Sequence, residues 1–101
     1  MIVGVGQLEL LLPYSHSLKE KRQVLRKIKE RVFAKFKVTV AEVDYLDKWQ
    51  RAGLGFSLVG NDGKVIESLM TQTFNFIDSL GLGQICREDR DVLYYDGAND
   101  E

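Results

Sequence analysis

The sequence is poor in residues that build covalent or metal frameworks, and it has no long apolar run. It holds one cysteine, one histidine and one proline in 101 residues. These counts exclude a disulfide framework within the chain and a closed zinc site with four ligands. No stretch approaches the roughly 20 apolar residues that cross a bilayer, and the opening residues lack the basic segment of a signal peptide. We therefore expect a cytosolic protein without metal, cofactor or membrane partner.

What the chain does contain is an ordinary globular composition with an uneven distribution of charge. Hydrophobic residues make up 45% and charged residues 29%, and this length suits one domain with a two-layer core. The segment from Lys19 to Lys37 holds nine basic and two acidic side chains, whereas residues 38–101 hold five basic and twelve acidic ones. The net charge of −1 thus conceals a basic segment that favours a phosphate-bearing partner. We expect one domain over residues 1–95 and a loose acidic tail over residues 96–101.

The hydrophobic periodicity predicts the order strand, helix, strand, strand, helix, strand. Ser17 and Glu20 form a capping-box pattern at the start of the first helix, and Gly81 is typical of a helix C-terminus. The last strand has a charged middle, so we expect a bulge, a turn or a sheet edge there. With right-handed crossovers, this order predicts an α+β ferredoxin-like βαββαβ fold, a four-stranded antiparallel sheet with two helices on one face. The four strands are expected over residues 2–12, 37–47, 53–59 and 85–95.

The strongest candidate for function is one side of the first helix. A rotation of about 100° per residue places four basic side chains in one stripe beside the apolar arc. This stripe, the basic ladder, consists of Lys19, Arg22, Arg26 and Lys29. His16 precedes the helix N-terminus, where free N–H groups and the helix dipole also favour an anion. The pattern predicts contact with phosphate or a nucleic-acid backbone, and its alternative is an ordinary solvated face.

Lys21 differs from the ladder because it lies inside the apolar arc of the same helix. We expect its ammonium group to reach the surface or to form a structural ion pair with Asp44 or Asp47.

Three carboxylates follow on the second strand and after it, at Glu42, Asp44 and Asp47. Two carboxylates on one strand face can share a proton or bind a hard cation. An ion-pair network with the basic helix or Arg51 is the interpretation that we favour.

Single residues near these clusters leave further alternatives open. Trp49 either caps the end of the core or offers an exposed platform that stacks a base, with Arg51 as a nearby phosphate contact. His16 has no orienting acid and no oxyanion site in any motif, so the sequence predicts no catalytic residue. Cys86 lies in an apolar-flanked strand and is expected to be a small core residue.

Two multi-residue motifs suggest a family. They are Ser15-His16-Ser17-Leu18-Lys19-Glu20-Lys21-Arg22 and Val40-Ala41-Glu42-Val43-Asp44 followed by Asp47, Trp49, Gln50, Arg51 and Ala52. The chain resembles the small bacterial YlxP-like family, a domain of unknown function, from about Met1 to Leu80. The resemblance implies a ferredoxin-like fold and no established enzymatic activity. Genes of this family often lie beside those for transcription-elongation, translation-initiation and ribosome-binding factors, which implies RNA or the ribosome as a partner.

Three hypotheses of function follow. The first is an accessory RNA- or ribosome-associated binding module that uses the basic ladder. The second is a homodimer that acts through the open sheet face without binding nucleic acid. The apolar patch on that face is expected to comprise Val3, Val5, Val38 and Val40. The third is an acylphosphatase-like hydrolase, a fold analogy that is weakened because the loop of residues 13–17 lacks a glycine-rich phosphate cradle.

Overall fold

The fold is the predicted ferredoxin-like arrangement. A computed structural model describes residues 1–97, and it contains six elements in the expected order. They are β1 (Ile2–Leu11), α1 (Leu18–Phe36), β2 (Val40–Asp44), β3 (Arg51–Gly60), α2 (Gly63–Ser79) and β4 (Gln84–Tyr94). The strands pair antiparallel in the order β2-β3-β1-β4, which leaves β2 and β4 at the two edges. Both helices cover one face of this sheet, and the other face is open.

The two helices begin at the capping residues that the sequence predicts. The Ser17 side chain accepts a hydrogen bond from the Glu20 N–H at 3.1 Å, and the Glu20 carboxylate accepts one from the His16 N–H at 2.8 Å. Asp62 caps α2 by accepting from two backbone N–H groups. Gly81 follows α2 with a φ of +66°, a left-handed conformation that glycine adopts without steric cost. Local capping therefore fixes where each helix starts.

The core lies between the helices and the covered face of the sheet. Alternate residues of β1 face it, and Leu8 and Leu10 are fully buried there. Gly6 belongs to the same set, because a methyl group at its Cα would lie 2.5 Å from the ring of Phe56 on β3. That ring packs edge-to-face on Phe74 of α2, with centroids 5.3 Å apart. The absence of a side chain at Gly6 therefore makes room for an aromatic pair in the core.

The structure corrects the predicted face of β2. Val38 and Val40 are buried, and Val40 is paired with the core residue Phe56. They cannot belong to an exposed dimer patch on the open face. Strand alternation places Val38 and Val40 on the same face as Glu42, and that face was predicted to be the open one. Glu42 instead points into the core side, where a lysine of α1 meets it, and so the alternation of the whole strand is reversed.

β4 is a continuous edge strand, which is where its charged middle predicts it to be. Its register on β1 shifts, since Glu9 pairs with Arg87 and Leu10 pairs with Ile85. Cys86 is the extra residue of this bulge and is exposed, so its prediction as a core residue is wrong. The acidic tail expected over residues 96–101 falls largely outside the described residues. Within residues 1–97, neither helix is long and apolar enough to span a bilayer.

Candidate functional site

The basic ladder forms a row along the outer flank of α1. Lys19, Arg22 and Arg26 are exposed and Lys29 is half-buried. At a rise of about 1.5 Å per residue the row extends about 15 Å along the helix. Across residues 1–97, no carboxylate forms an ion pair with any of these four side chains. The ladder therefore presents cationic groups that the described part of the chain does not neutralise by contact.

This flank of α1 lies beside the edge strand β2. Lys29 and Phe33 line a shallow surface depression together with Thr39 and Val40 at the start of that strand. Phe33 is half exposed, and the ammonium group of Lys37 lies 5.5 Å from the centre of its ring. The ladder therefore runs along the outer margin of the molecule and does not face α2.

Lys21 is the fully buried cation of α1, with 1% of its surface exposed. Its Nζ atom lies 2.8 Å from a carboxylate oxygen of Glu42 on β2. It also donates to the backbone carbonyls of Tyr45, Leu46 and Arg51 at 2.9, 3.5 and 3.3 Å. The prediction that Lys21 forms a structural ion pair is confirmed, but its partner is Glu42 and not Asp44 or Asp47, as predicted. The reason is a register shift between Glu42 and Asp44, which moves Asp44 beside Gly53 on the open face.

These contacts fix the connection between β2 and β3, residues 45–50, which we call the tryptophan loop. The Lys48 N–H donates to the Tyr45 carbonyl at 3.0 Å, and the Gln50 carbonyl accepts from the Leu12 N–H at 2.8 Å. The Gln50 side chain also donates to two carbonyls of the loop before α1, those of Pro13 and Ser15. Because that loop carries His16, the structure brings His16 and Trp49 to the same end of the sheet.

Trp49 projects from this loop and is 54% exposed. An open depression with a volume of about 600 Å³ lies beside it. Its lining includes Leu11, Tyr45, Asp47, Lys48, Trp49 and Arg51. The ring therefore does not cap the end of the core, because a capping ring would be buried, and its use as a platform that stacks a base stays a prediction.

Sequence reasoning missed a polar cluster on the open face, in which Arg51, predicted as a phosphate contact near Trp49, pairs with a carboxylate. The Arg51 guanidinium lies 3.5 Å from the Glu9 carboxylate and 5.0 Å from the centre of the Tyr45 ring. The Tyr45 hydroxyl donates to Glu9 at 3.1 Å, and this hydrogen bond to a carboxylate raises the pKa of Tyr45 above its ordinary value. Tyr45 also has a φ of +57°, which is rare for a residue with a bulky side chain. The alternation that placed Glu9 on the less buried side of β1 was the one available signal.

The open sheet face carries aliphatic side chains around two glycines of β3, Gly53 and Gly55. Val3 is half-buried and Val5 is exposed there, as the sequence predicts. Their exposed companions on the other strands are Val43, Val59 and Leu93. The face is thus more apolar at its centre than a fully solvated sheet surface, and its pairing with a second copy stays a prediction.

No metal-binding arrangement is visible in the part of the chain that the structure describes. Among residues 1–97, the His, Cys, Asp and Glu side chains do not converge in groups of three. Asp44 accepts a hydrogen bond from the Tyr45 N–H, and Glu42 is held by Lys21. These two carboxylates therefore serve the local structure, while Asp47 lines the depression.

Two solved structures of low sequence identity superpose on this chain. A structural-genomics protein named YJCS superposes with a TM-score of 0.50 at 10% identity, over 88% of this chain and 96% of that one. A proposed antibiotic biosynthesis monooxygenase from Deinococcus radiodurans gives a TM-score of 0.45 at 17% identity, over 100% of this chain and 98% of that one. At 10% identity, the likeness to the YJCS protein concerns the fold alone.

Comparison at the level of sequence is more specific. The uncharacterized protein YlxP of Bacillus subtilis (strain 168) is 37% identical over 78 residues, which cover 77% of this chain and 85% of the relative. Residues 3–90 match the sequence model of the DUF503 family, which is described as a protein of unknown function. Both findings confirm the resemblance that the two motifs suggest. The chain therefore belongs to the DUF503 family, which includes a protein called YlxP and has no function assigned to it.

Proposed function

We propose that this protein is a binding module that contacts RNA phosphates, free or within the ribosome, through the basic ladder of α1. The observation that carries the proposal is the row of Lys19, Arg22, Arg26 and Lys29, which has no ion-pair partner among residues 1–97. A face that served solubility alone would mix both signs of charge. An RNA partner and a lone cysteine both fit a cytosolic location.

The proposed role is binding and not catalysis. The loop of residues 13–17 would have to cradle a phosphate in an acylphosphatase-like hydrolase. Ser15 is buried there, and its hydroxyl donates to the Ser17 carbonyl at 3.1 Å, so it is engaged within the loop. The ladder begins after this loop and runs away from it along α1. These features favour a long backbone contact over a compact reaction site.

The test is retention of RNA and ribosomes by the protein in co-sedimentation over a range of salt concentrations. Four phosphate contacts predict a slope of about −3 in a plot of log K against log salt for single-stranded RNA. The double variant Arg22→Glu, Arg26→Glu should lose retention and flatten this slope. The matched control is Lys64→Glu, Arg87→Glu, which makes the same change of net charge on exposed residues of α2 and β4. Equal retention by wild type and ladder variant, or equal loss in the control, would refute the proposal.

A second candidate is a homodimer that forms through the open sheet face. The favouring observation is the exposure of Val5, Val43 and Val59 around the glycines of β3. Sedimentation at high protein concentration should then give twice the 11.5 kDa mass of the chain. Val5→Asp should return the protein to a monomer, whereas Val65→Asp, on an exposed site of α2, should not. A monomer at every concentration would remove this candidate.

A further inference from the structure

The tryptophan loop is held by more hydrogen bonds to other elements than a simple connection between two strands needs. Lys21 donates to two of its carbonyls, and Gln50 ties it to the loop before α1. The exposed ring of Trp49 is therefore presented by a backbone that hydrogen bonds to two other elements hold in place. Preorganised aromatic groups lose little conformational freedom on binding, so they are effective contact sites.

The depression beside Trp49 combines two kinds of wall. Trp49, Tyr45 and Leu11 supply aromatic and aliphatic surface. The lining also carries the ammonium group of Lys48, the carboxylate of Asp47, and Arg51, whose guanidinium lies beside Glu9. Flat aromatic surface next to cations suits a planar ring that is attached to a phosphate. The volume of about 600 Å³ and the open side leave room for a ring without any movement of the backbone.

We propose that this depression binds one unpaired base of an RNA strand, stacked on Trp49, and that the protein therefore selects single-stranded RNA over duplex RNA. This inference rests on the proposed contact between the basic ladder and RNA phosphates, and it adds the class of RNA that the site accepts.

The positions of the ladder and the depression support selection of a single strand. The ladder lies on the helix side of the sheet, beside β2. The depression opens towards the other side, because Leu11 and Arg51 are paired on the face opposite the buried Leu10 and Ala52. A flexible strand can follow the ladder and turn around the end of β2 towards Lys48, which lines the depression. A duplex is too stiff for that turn, and its paired bases offer no free face to an aromatic ring.

The experiment uses the fluorescence of Trp49, which is the only tryptophan of the chain. A short mixed-sequence RNA oligonucleotide is titrated into the full-length protein, first as a single strand and then annealed to its complement. The single strand should quench Trp49 emission to saturation, and the duplex should bind about tenfold more weakly. In parallel, the anisotropy of a labelled single strand measures affinity for variants that lack the reporter.

Trp49→Ala should weaken binding of the single strand by about tenfold, the usual effect of losing one stacked base. Trp49→Phe should keep most of the affinity because a stacking ring remains. Leu46→Ala is the matched control, since Leu46 is an exposed apolar residue of the same loop that does not line the depression. Circular dichroism checks that all three variants are folded.

The outcomes separate this inference from the proposal on which it rests. One outcome would overturn the base site alone. In that outcome RNA binding is sensitive to salt and is lost in the ladder variant, but Trp49 emission is not quenched and duplex and single strand bind with equal affinity. Absence of RNA binding at any salt concentration would overturn both. Loss of binding in Leu46→Ala as large as in Trp49→Ala would show that the ring does not act by stacking, and would also overturn the base site.

Discussion

Replacing Lys21 with methionine should destabilise the protein more than any exposed charge substitution in α1. The substitution keeps the side-chain volume but removes a cation that lies within 3.5 Å of four oxygen atoms. Breaking a buried ion pair on one side typically costs about 3–5 kcal/mol, because the remaining charge is left without compensation. Glu42 is 14% exposed, so water reaches part of its carboxylate and we expect a loss near about 3 kcal/mol.

The structure also predicts an asymmetry between the two partners. In Glu42→Gln, Lys21 keeps its three backbone carbonyls, and the loss should be only about 1 kcal/mol, the size of one ordinary hydrogen bond. In the double variant Lys21→Met, Glu42→Leu no buried charge remains, so part of the lost stability should return. The three carbonyls still lack their donor, and full recovery is therefore not expected.

Urea unfolding followed by circular dichroism measures these differences. With slopes of about 1–3 kcal/mol per molar urea, a loss of about 3 kcal/mol moves the midpoint by about 1–3 M. Trp49 emission, recorded in the same titration, reports whether the tryptophan loop is released before the global transition. A loss below about 1 kcal/mol in Lys21→Met, or an equal loss in Glu42→Gln, would refute the reasoning.

Three further predictions concern other parts of the molecule. The hydrogen bond to Glu9 raises the pKa of Tyr45, so the contribution of this bond to stability is full below about pH 10 and declines at higher pH. Glu9→Gln should lower the pKa of Tyr45, which tyrosinate absorbance measures with Tyr45→Phe as the reference. Gly6→Ala should cost about 1–3 kcal/mol in urea unfolding, because the methyl group would press on the Phe56 ring. Ser17→Ala should cost about 1 kcal/mol through loss of the α1 cap, and Ser17→Asp, which keeps a capping oxygen, should recover most of it.

Local patterns in the sequence were enough for the order and type of all six elements. The capping box at Ser17 and Glu20 and the glycine after α2 mark helix ends through contacts between residues close in sequence. The buried position of Lys21 also follows from helical spacing alone, since it falls within the apolar arc. Such features depend on neighbours three or four residues away, and the sequence displays them directly.

Contacts between distant segments could not be predicted in the same way. Glu9 meets Tyr45 only because β1 and β3 place Glu9 opposite Gly53, next to the end of β2. The face of β2 depends on one irregularity before Asp44 and on a lysine from another element. Alternation along a five-residue strand carries no information about either. The sequence therefore predicted which types of residue belong to the candidate site. Only the folded structure shows that they form a ladder, a tryptophan loop and a cluster on the open face.

The basic ladder lowers the stability of the helix that carries it. Arg22 has Lys19 three residues before it and Arg26 four residues after it, and like charges at these spacings each cost about 0.2–0.5 kcal/mol. Arg22→Glu converts both repulsions into attractions and places an acid near the helix N-terminus, so unfolding free energy should rise by about 1 kcal/mol. The same variant should bind RNA more weakly, whereas Gln23→Glu, one position away from the ladder, should leave binding unchanged. If the ladder is only solvated surface, Arg22→Glu would raise stability and leave RNA retention unaltered. Urea unfolding measures the stability and co-sedimentation measures the retention, so together they distinguish this result from the expected loss of binding.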